Sequence, residues 1–305
     1  MLLSGLDDPD DAALWKLDDS RALVMTTDFF TPIVDDPYDY GQIAAANSLS
    51  DIYAMGGTPF IALNIAAFPP QLPHETASEI LRGGGIMARQ AGVVIAGGHT
   101  IQDQEPKYGL VVLGFAENAH LLTKGRMNPG DVVFLSKPIG SGIITSAIKA
   151  DLVNEKDVNS VVKWMKKLND RVSKLAINHG ARSATDITGF SLLGHGWEMA
   201  AASKIGMKLF FDKIPFYPKT EVLSKAWAFP GGAFDNLLYY GQHIVFNQSI
   251  EQEKQLLLAD PQTSGGLLFA IPKERAGECE ADAIKKNIPI WRIGEAIEEM
   301  IIKII

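Results

Sequence analysis

Four aspartates, Asp11, Asp28, Asp51 and Asp186, head the residues of this chain that could do chemistry. A carboxylate on so short a side chain stays close to its own backbone. That suits the tight oxygen shell magnesium requires, which phosphate oxygens usually complete. Two longer motifs add to the reading. One is Ala184-Thr185-Asp186-Ile187-Thr188-Gly189-Phe190-Ser191-Leu192-Leu193-Gly194-His195, and the other is Asp260-Pro261-Gln262-Thr263-Ser264-Gly265-Gly266-Leu267-Leu268. Each sets small, flexible or hydroxylated residues beside a lone Asp, so backbone can approach phosphate closely while a carboxylate holds a cation. Whether the four aspartates converge stays open at this point, because gathered carboxylates repel one another unless a cation neutralises them.

Weaker candidates surround these. Gly97-Gly98-His99-Thr100 follows an apolar run and offers backbone N–H groups to a phosphate, although such a stretch also makes an ordinary turn. His99 could ligate or carry a proton, or serve only as a hydrogen bonder at a strand end. Lys107 could neutralise phosphate or be a solvated surface lysine. Thr263-Ser264-Gly265-Gly266 and Gly140-Ser141-Gly142 read equally as phosphate nests or as turns. The GxxxxGK[ST] spacing is missing, and no GxGxxG follows a strand.

Stepping outward to composition, residues 1–60 hold eleven Asp and no Glu. Asp7, Asp8, Asp18, Asp19, Asp35 and Asp36 read as turn and cap residues. The net charge of -8 argues against nucleic acid or an anionic membrane as the main partner. It leaves a nucleotide open, because bound metal ions reverse the local field. With 47% apolar and 21% charged residues, the chain can bury a core, and its 305 residues suggest about two domains. The single cysteine, Cys279, stands among Glu278, Glu280 and Asp282, which disfavours a thiolate and gives it a structural role. One cysteine fits a reducing compartment. The first residues lack the basic and apolar regions of a signal peptide, and no apolar run approaches the ~20 residues of a membrane span, so a cytoplasmic protein is expected.

The elements that must position these residues are legible from periodicity. Strands are expected at 22–27, 59–67, 93–96 and 110–115, with helices over 41–55 and 74–91. Asn47 and Asp51 are four apart and share one helical face. Gly83-Gly84-Gly85 inside the second helix costs about 1 kcal/mol per glycine relative to Ala, so close packing or a ligand must demand it. This part reads as an α/β domain over residues 1–117. Residues 118–305 read as a second domain with strands at 132–136, 208–211, 243–247, 266–271 and 290–293, a helix after Gly142, one long helix over 160–180, and an exposed loop over 229–233.

Taken together, these residues resemble selenophosphate synthetase over nearly the whole chain. The matching stretches are Asp10-Asp11-Ala12-Ala13, Thr26 to Asp35, Ala44 to Gly57, Ala91 to Thr100, Glu105 to Gly109 and the two long motifs. The helix around 47–57 is also similar to aminoimidazole ribonucleotide synthetase, thiamine-monophosphate kinase and a hydrogenase maturation factor. The resemblance implies a two-domain α/β plus α+β fold of the aminoimidazole ribonucleotide synthetase type, with N-terminal domains pairing into a β-barrel in a homodimer. It implies ATP in a cleft between domains with several magnesium ions. Asp11, Asp51 and Asp186 would bind Mg2+, while Asp10, Asp28, Asp51 and Gly98, His99 and Thr100 would contact ATP. The implied reaction converts ATP, selenide and water into selenophosphate, AMP and phosphate, a phosphoryl transfer stabilised by metal ions and backbone dipoles.

One departure accompanies the resemblance. The family's glycine-rich segment with a Cys or selenocysteine and a Lys would lie upstream of Met1, so no residue here takes those catalytic roles. The expectation is a shortened synthetase that keeps ATP binding and gives little selenide-dependent turnover. Two alternatives stand beside it: a native short paralogue acting as a regulatory or assembly partner, and a small-metabolite kinase of the same superfamily.

Overall fold

A computed structural model describes residues 1–6, 10–150 and 152–305. Asp7 and Asp8, expected at turns, lie outside the described residues. The chain divides into two units, Met1–Leu121 with Met165–Asp170, and Leu122–Trp164 with Arg171–Ile305.

In the first unit the elements run β1 (Leu2–Ser4), β2 (Ala13–Lys16), β3 (Arg21–Phe30), α1 (Pro37–Ala54), β4 (Thr58–Phe68), α2 (His74–Gln90), β5 (Val94–Gln102) and β6 (Lys107–Glu117). They form a six-stranded sheet ordered β1-β2-β3-β6-β4-β5, antiparallel except for the β4–β5 pair. Helix α1 starts where Asp36 accepts from the Asp39 N–H and Pro37 supplies a ready helical φ. It is buried from Tyr40 to Ala54, so its sequence carries no polar stripe to display.

The glycine triplet in α2 is explained by packing. A Cβ on Gly41 would lie 2.0 Å from the Ile80 carbonyl oxygen, and one on Gly83 2.1 Å from that of Tyr38. At Gly84 it would meet the Tyr108 hydroxyl at 1.9 Å, whereas at Gly85 it would meet nothing within 4 Å. The two helices therefore touch backbone to backbone, and that contact demands Gly41 and Gly83, while Gly84 makes room for Tyr108 of β6.

The strand expected to stop at Ala96 continues to Gln102. Gly97 and Gly98 adopt φ of 154° and 153°, and the pairing with β4 slips between Ala62 and Asn64. The pair makes a bulge that lets the strand go on. A Cβ at Gly98 would come 2.3 Å from the Asn64 carbonyl oxygen, so this slip needs glycine.

The second unit contains β7 (Val132–Leu135), α3 (Ser141–Lys149), α4 (Glu155–Met165), α5 (Asp170–Asn178), β8 (Ser183–Asp186), α6 (Ser191–Ser203), β9 (Gly206–Leu209), α7 (Thr220–Lys225), α8 (Gly231–Tyr240), β10 (Ile244–Phe246), α9 (Gln252–Leu258), β11 (Leu267–Ile271), α10 (Lys273–Lys285), β12 (Trp291–Ile297) and β13 (Ile302–Ile304). Its mixed sheet is ordered β10-β13-β9-β12-β7-β11-β8. Central strands β7 and β11 are buried along their whole length, which their unbroken apolar runs require. Their side chains meet Leu192, Leu193 and Met199 of α6 in one core.

Two expectations are corrected here. The long helix over 160–180 is two helices, α4 and α5. Between them, Lys166 pairs with Asp39 at 2.6 Å and Asn169 donates to the Ser50 hydroxyl at 2.9 Å, tertiary contacts that outweigh helix continuation. Of residues 229–233 only Phe229 and Pro230 lie in a loop, because α8 begins at Gly231 and Ala233 is already buried in its first turn. Among the described residues, no helix is long and apolar enough to cross a membrane.

The helix contact yields a pair of opposite outcomes. Gly83→Ala should lower unfolding stability by about 1–3 kcal/mol or more through overpacking. Gly85→Ala should raise it by roughly 0.5–1 kcal/mol through reduced unfolded-state entropy. Urea midpoints at unchanged slope check both; equal shifts would remove the close-contact explanation.

Candidate active site

The first unit brings a polar cluster together where α1 lies under the sheet. Thr26 and Asp28 are two apart on β3 and share its helix-facing side. One turn separates Asn47 from Asp51 on α1. Asn47 Nδ2 donates to Asp28 Oδ2 at 2.7 Å, and the Thr26 hydroxyl donates to the Asp51 carboxylate. Ser48 accepts from the Leu110 N–H at 3.1 Å and lies 2.9 Å from the Asp28 carbonyl oxygen, which ties the helix to two strands. Burial pushes the Asp28 carboxyl above the usual carboxylate range. The Asn47 hydrogen bond opposes that, and the neighbouring Asp11 charge adds to it. Asp10 sits beside Asp11 and accepts its N–H at 3.0 Å.

Among the described residues, no three His, Cys, Asp or Glu side chains could hold a metal ion by themselves. Asp11 lies close enough to Asp28 for their charges to interact, and the Thr26 and Asn47 bonds set Asp51 and Asp28 between the same strand and helix. The donor set still fits magnesium, which keeps water and substrate phosphates in its shell and takes only one or two carboxylates. Zinc or calcium would need more from the protein.

Gly98, His99 and Thr100 stand on β5, exposed at the edge of the sheet, not at a strand end. Asn64, beside Gly98, accepts from the Tyr108 hydroxyl at 2.8 Å. Lys107 is taken up by Asp103, so its charge is neutralised within its own turn.

Asp186 belongs to the second unit, buried at the end of β8 opposite Leu267. That register makes the two long motifs neighbours. Ile187 N–H donates to the Gly266 carbonyl oxygen at 2.9 Å, and Gln262 N–H donates to that of Thr188 at 2.9 Å. Gly265 is required there, since a Cβ would sit 1.9 Å from the Ile187 carbonyl oxygen.

The two lesser glycine candidates answer each other. Gln262 Oε1 accepts from Gly140 N at 2.9 Å and Ser141 N at 3.0 Å, and Asp260 Oδ2 accepts from Gly142 N at 2.9 Å. The Ser141 hydroxyl returns a bond by accepting from Thr263 N at 3.0 Å. The first N–H groups of α3 are therefore capped by side chains and not held open for phosphate. Buried Lys137 donates to the Ser264 carbonyl oxygen at 2.8 Å and ties the same loop down. Burial pushes the Asp260 carboxyl up to about 8, against the lowering effect of bonds from Gln262 and Gly142. Cys279 is buried in α10, where burial and then Glu280 push its thiol up to about 12, as befits a structural residue. Sequence reasoning passed over Thr26, Lys124 and Glu198; the spacing of Glu198 three residues after His195 was the available signal for the last.

Comparison with known proteins follows from this geometry. A family described as AIR synthase related protein, N-terminal domain, matches residues 9–116, and the corresponding C-terminal domain matches 128–305. The chain is 44% identical over 292 residues to a selenide, water dikinase of Carboxydothermus hydrogenoformans, spanning 96% of this chain and 85% of that protein. Among solved structures it is similar to AaThiL complexed with AMPPCP and TMP, with a TM-score of 0.73 and 18% identity over 97% of this chain and 87% of the other. It is also similar to the hydrogenase maturation protein HypE in complex with ATP, with a TM-score of 0.69 and 19% identity over 90% and 77%. At such identities the structural likeness shows the fold. Together these matches bear out the expected two-domain aminoimidazole ribonucleotide synthetase-like architecture.

The buried Asp260 generates a pH prediction. Its folded-state value is raised, so its contribution is fully present below the ordinary carboxylate range and is lost as pH rises toward about 8. Unfolding free energy should fall between pH 5 and pH 8, and Asp260→Asn should flatten that fall. Denaturant titrations across this range check it; identical slopes in both proteins would remove Asp260 as the source.

Proposed function

The chain belongs to the selenide, water dikinase family, and on that premise we propose that it uses ATP and water to convert selenide into selenophosphate, AMP and phosphate. The observation that carries this reading is the 44% identity maintained over 96% of the chain. Two similar folds, described in complex with AMPPCP and with ATP, support a nucleotide as the phosphoryl donor.

Asp11 and Asp51 of the first unit and Asp186 of the second are the proposed magnesium ligands. Asp10, Asp28, Asp51 and the Gly98-His99-Thr100 segment are the proposed ATP contacts. The raised Asp28 carboxyl supports a cation beside it, since a buried carboxylate near a second one is relieved by positive charge. Bound magnesium supplies neutralisation of charge building on the phosphoryl oxygens. The chain's own residues set the geometry: Asn47 aims one Asp28 oxygen, Thr26 aims the Asp51 carboxylate, and Ser48 anchors α1 beneath both.

A homodimer belongs to the same proposal. With α1 and α2 on one side of the first unit's sheet, the other side exposes Met25, Phe29, Phe60, Leu63 and Phe115, and β5 leaves an open edge. An apolar sheet face with an unpaired edge strand calls for a partner, and a second copy presents the matching surface.

The reaction is tested by phosphorus NMR of ATP, selenide and magnesium with the chain. A weak selenophosphate resonance accompanied by AMP, above a protein-free control, is expected; ATP turnover indifferent to selenide would overturn the reading. Asp51→Ala should weaken magnesium-dependent ATP binding at least about tenfold by calorimetry, a loss of about 1.4 kcal/mol or more. Unchanged affinity would remove Asp51 from the site. For the assembly, Met25→Lys with Leu63→Lys should give a monomer by light scattering where the unaltered chain gives a dimer. A monomeric unaltered chain would refute the pairing.

A further inference from the structure

Helices α6 and α8 of the second unit border an open cavity of about 780 Å3, the size of a small-molecule site. Its walls are aromatic. Phe190 stands at the N-terminus of α6, and Tyr239 and Tyr240 end α8. Phe190 meets the Tyr240 ring at 6.0 Å between centroids, and Tyr240 meets Tyr239 edge-on at 4.8 Å. Phe190 and Tyr239 are 53% and 68% exposed, so both rings keep surface for a ligand.

The polar groups of this cavity are acceptors. Asn236 is 7% exposed, and its Nδ2 donates to the Gly189 and Ala259 carbonyl oxygens at 2.9 and 3.1 Å. With both N–H groups spent on backbone, Asn236 turns Oδ1 to the cavity, and that oxygen has no partner among the described residues. A buried acceptor left open in this way asks for a donor. Gln242 repeats the pattern by spending its Nε2 on the Tyr239 carbonyl oxygen at 3.2 Å. Asp235 is exposed and carries no ion pair among the described residues. Glu198 brings a second carboxylate from α6. Lys124 Nζ meets its Oε2 at 2.9 Å, and His195 Nδ1 lies 3.3 Å from the same oxygen. The His195 ring is held in turn by the Thr188 hydroxyl, 3.0 Å from Nε2. Burial works to raise the Glu198 carboxyl, but His195 and the Lys124 charge outweigh it and hold the group down at about 2. Oε1 of Glu198 has no partner among the described residues. No lysine, arginine or histidine of the described residues lines the cavity.

This lining selects for charge and shape. An anion would meet two carboxylates and no cation. A neutral apolar molecule would leave Asn236 Oδ1 unpaired. A bare metal ion needs its carboxylates in one shell, and these two stand on different helices beside aromatic rings. An organic ammonium group satisfies all the observations, since ring faces attract it and its N–H groups donate to the acceptors. Two separate carboxylates call for two such groups joined by an apolar stem. We propose that the cavity binds an aliphatic di- or polyamine, with ammonium groups at Glu198 and Asp235, an N–H donated to Asn236 Oδ1, and the methylene stem lying against Phe190 and Tyr239. A lysine side chain of another protein shares this chemistry, but the volume is that of a whole small molecule. The site belongs to the second unit alone and stands whether or not the chain turns over selenide.

Calorimetry of the full chain with spermidine and with cadaverine tests this. A magnesium buffer lets that ion compete for the carboxylates of the first unit. One amine should bind per chain, and more weakly as salt is raised. The diol of the same length as cadaverine should not bind. Asp235→Asn should weaken spermidine about fivefold or more, and Tyr239→Leu about threefold or more. Asp212→Asn, which removes an exposed carboxylate outside the cavity, should leave affinity unchanged. Spermidine should also shift the NMR ring signals of Tyr239 and Tyr240 in the unaltered chain, a readout free of any substitution. Absence of binding, static ring signals, or equal weakening by Asp235→Asn and Asp212→Asn would overturn the site; the last would reveal diffuse attraction to an acidic surface. Tetralysine binding where neither amine binds would make a partner's lysines the occupant and overturn a small-molecule site.

Discussion

The backbone contact between α1 and α2 is the constraint on which the first unit depends. With carbonyl oxygens 2.0 and 2.1 Å from where side chains at Gly41 and Gly83 would begin, no other residue lets the helices approach so closely. That approach buries α1 on every side and lays it flat beneath β3 and β6. Only then do Asn47 and Asp51 reach Asp28 and Thr26. The polar cluster is a consequence of glycine placement some thirty residues further along the chain, and its geometry is as rigid as the packing beneath it.

The second unit reaches comparable rigidity by a different device. Gln262 uses its amide oxygen to cap α3, its amide N–H groups to hold Asp260, and its backbone N–H to bind Thr188. One residue, through side chain and backbone, thereby joins the start of α3 and the loop at Thr188 to its own segment. Buried polar knots of this kind are tolerable only when their groups are satisfied, and they specify one arrangement when they are. The loop before α6 takes its position from that knot, which is why Thr188 can meet His195 at hydrogen-bond distance.

Much of this was legible in the sequence. Periodicity gave both long helices and four of the six strands of the first unit, missing the short β1 and β2, and the shared face of Asn47 and Asp51 followed from a spacing of four. A demand was visible at Gly83-Gly84-Gly85, but Gly85 turns out to be free of it, and the causes, the α1 backbone for Gly83 and Tyr108 for Gly84, lie in other elements. Elements were misread where tertiary contacts overrode local preference. Asn169 and Lys166 break a helix that the 160–180 pattern would continue, and Gly97-Gly98 carry a strand onward where glycine usually stops one. The capping role of Gln262 was illegible, since its targets are more than a hundred residues away. Such pairings depend on the fold, and one sequence does not display them.

Environment sorts the buried carboxylates of this chain into different chemical kinds. Asp28, buried and near Asp11, is raised even though Asn47 donates to it. Asp260, fully enclosed among neutral donors, is raised to about 8 and holds a proton near neutrality, which suits a cap that stays uncharged in the core. Glu198 is largely buried too, yet His195 and Lys124 hold its carboxyl down at about 2 against the effect of burial. Burial pushes all three the same way, so the difference lies entirely in what each one faces. A carboxyl facing another carboxylate is pushed up, one facing neutral amides in the core is pushed up as well, and one facing a lysine and an imidazole is held down.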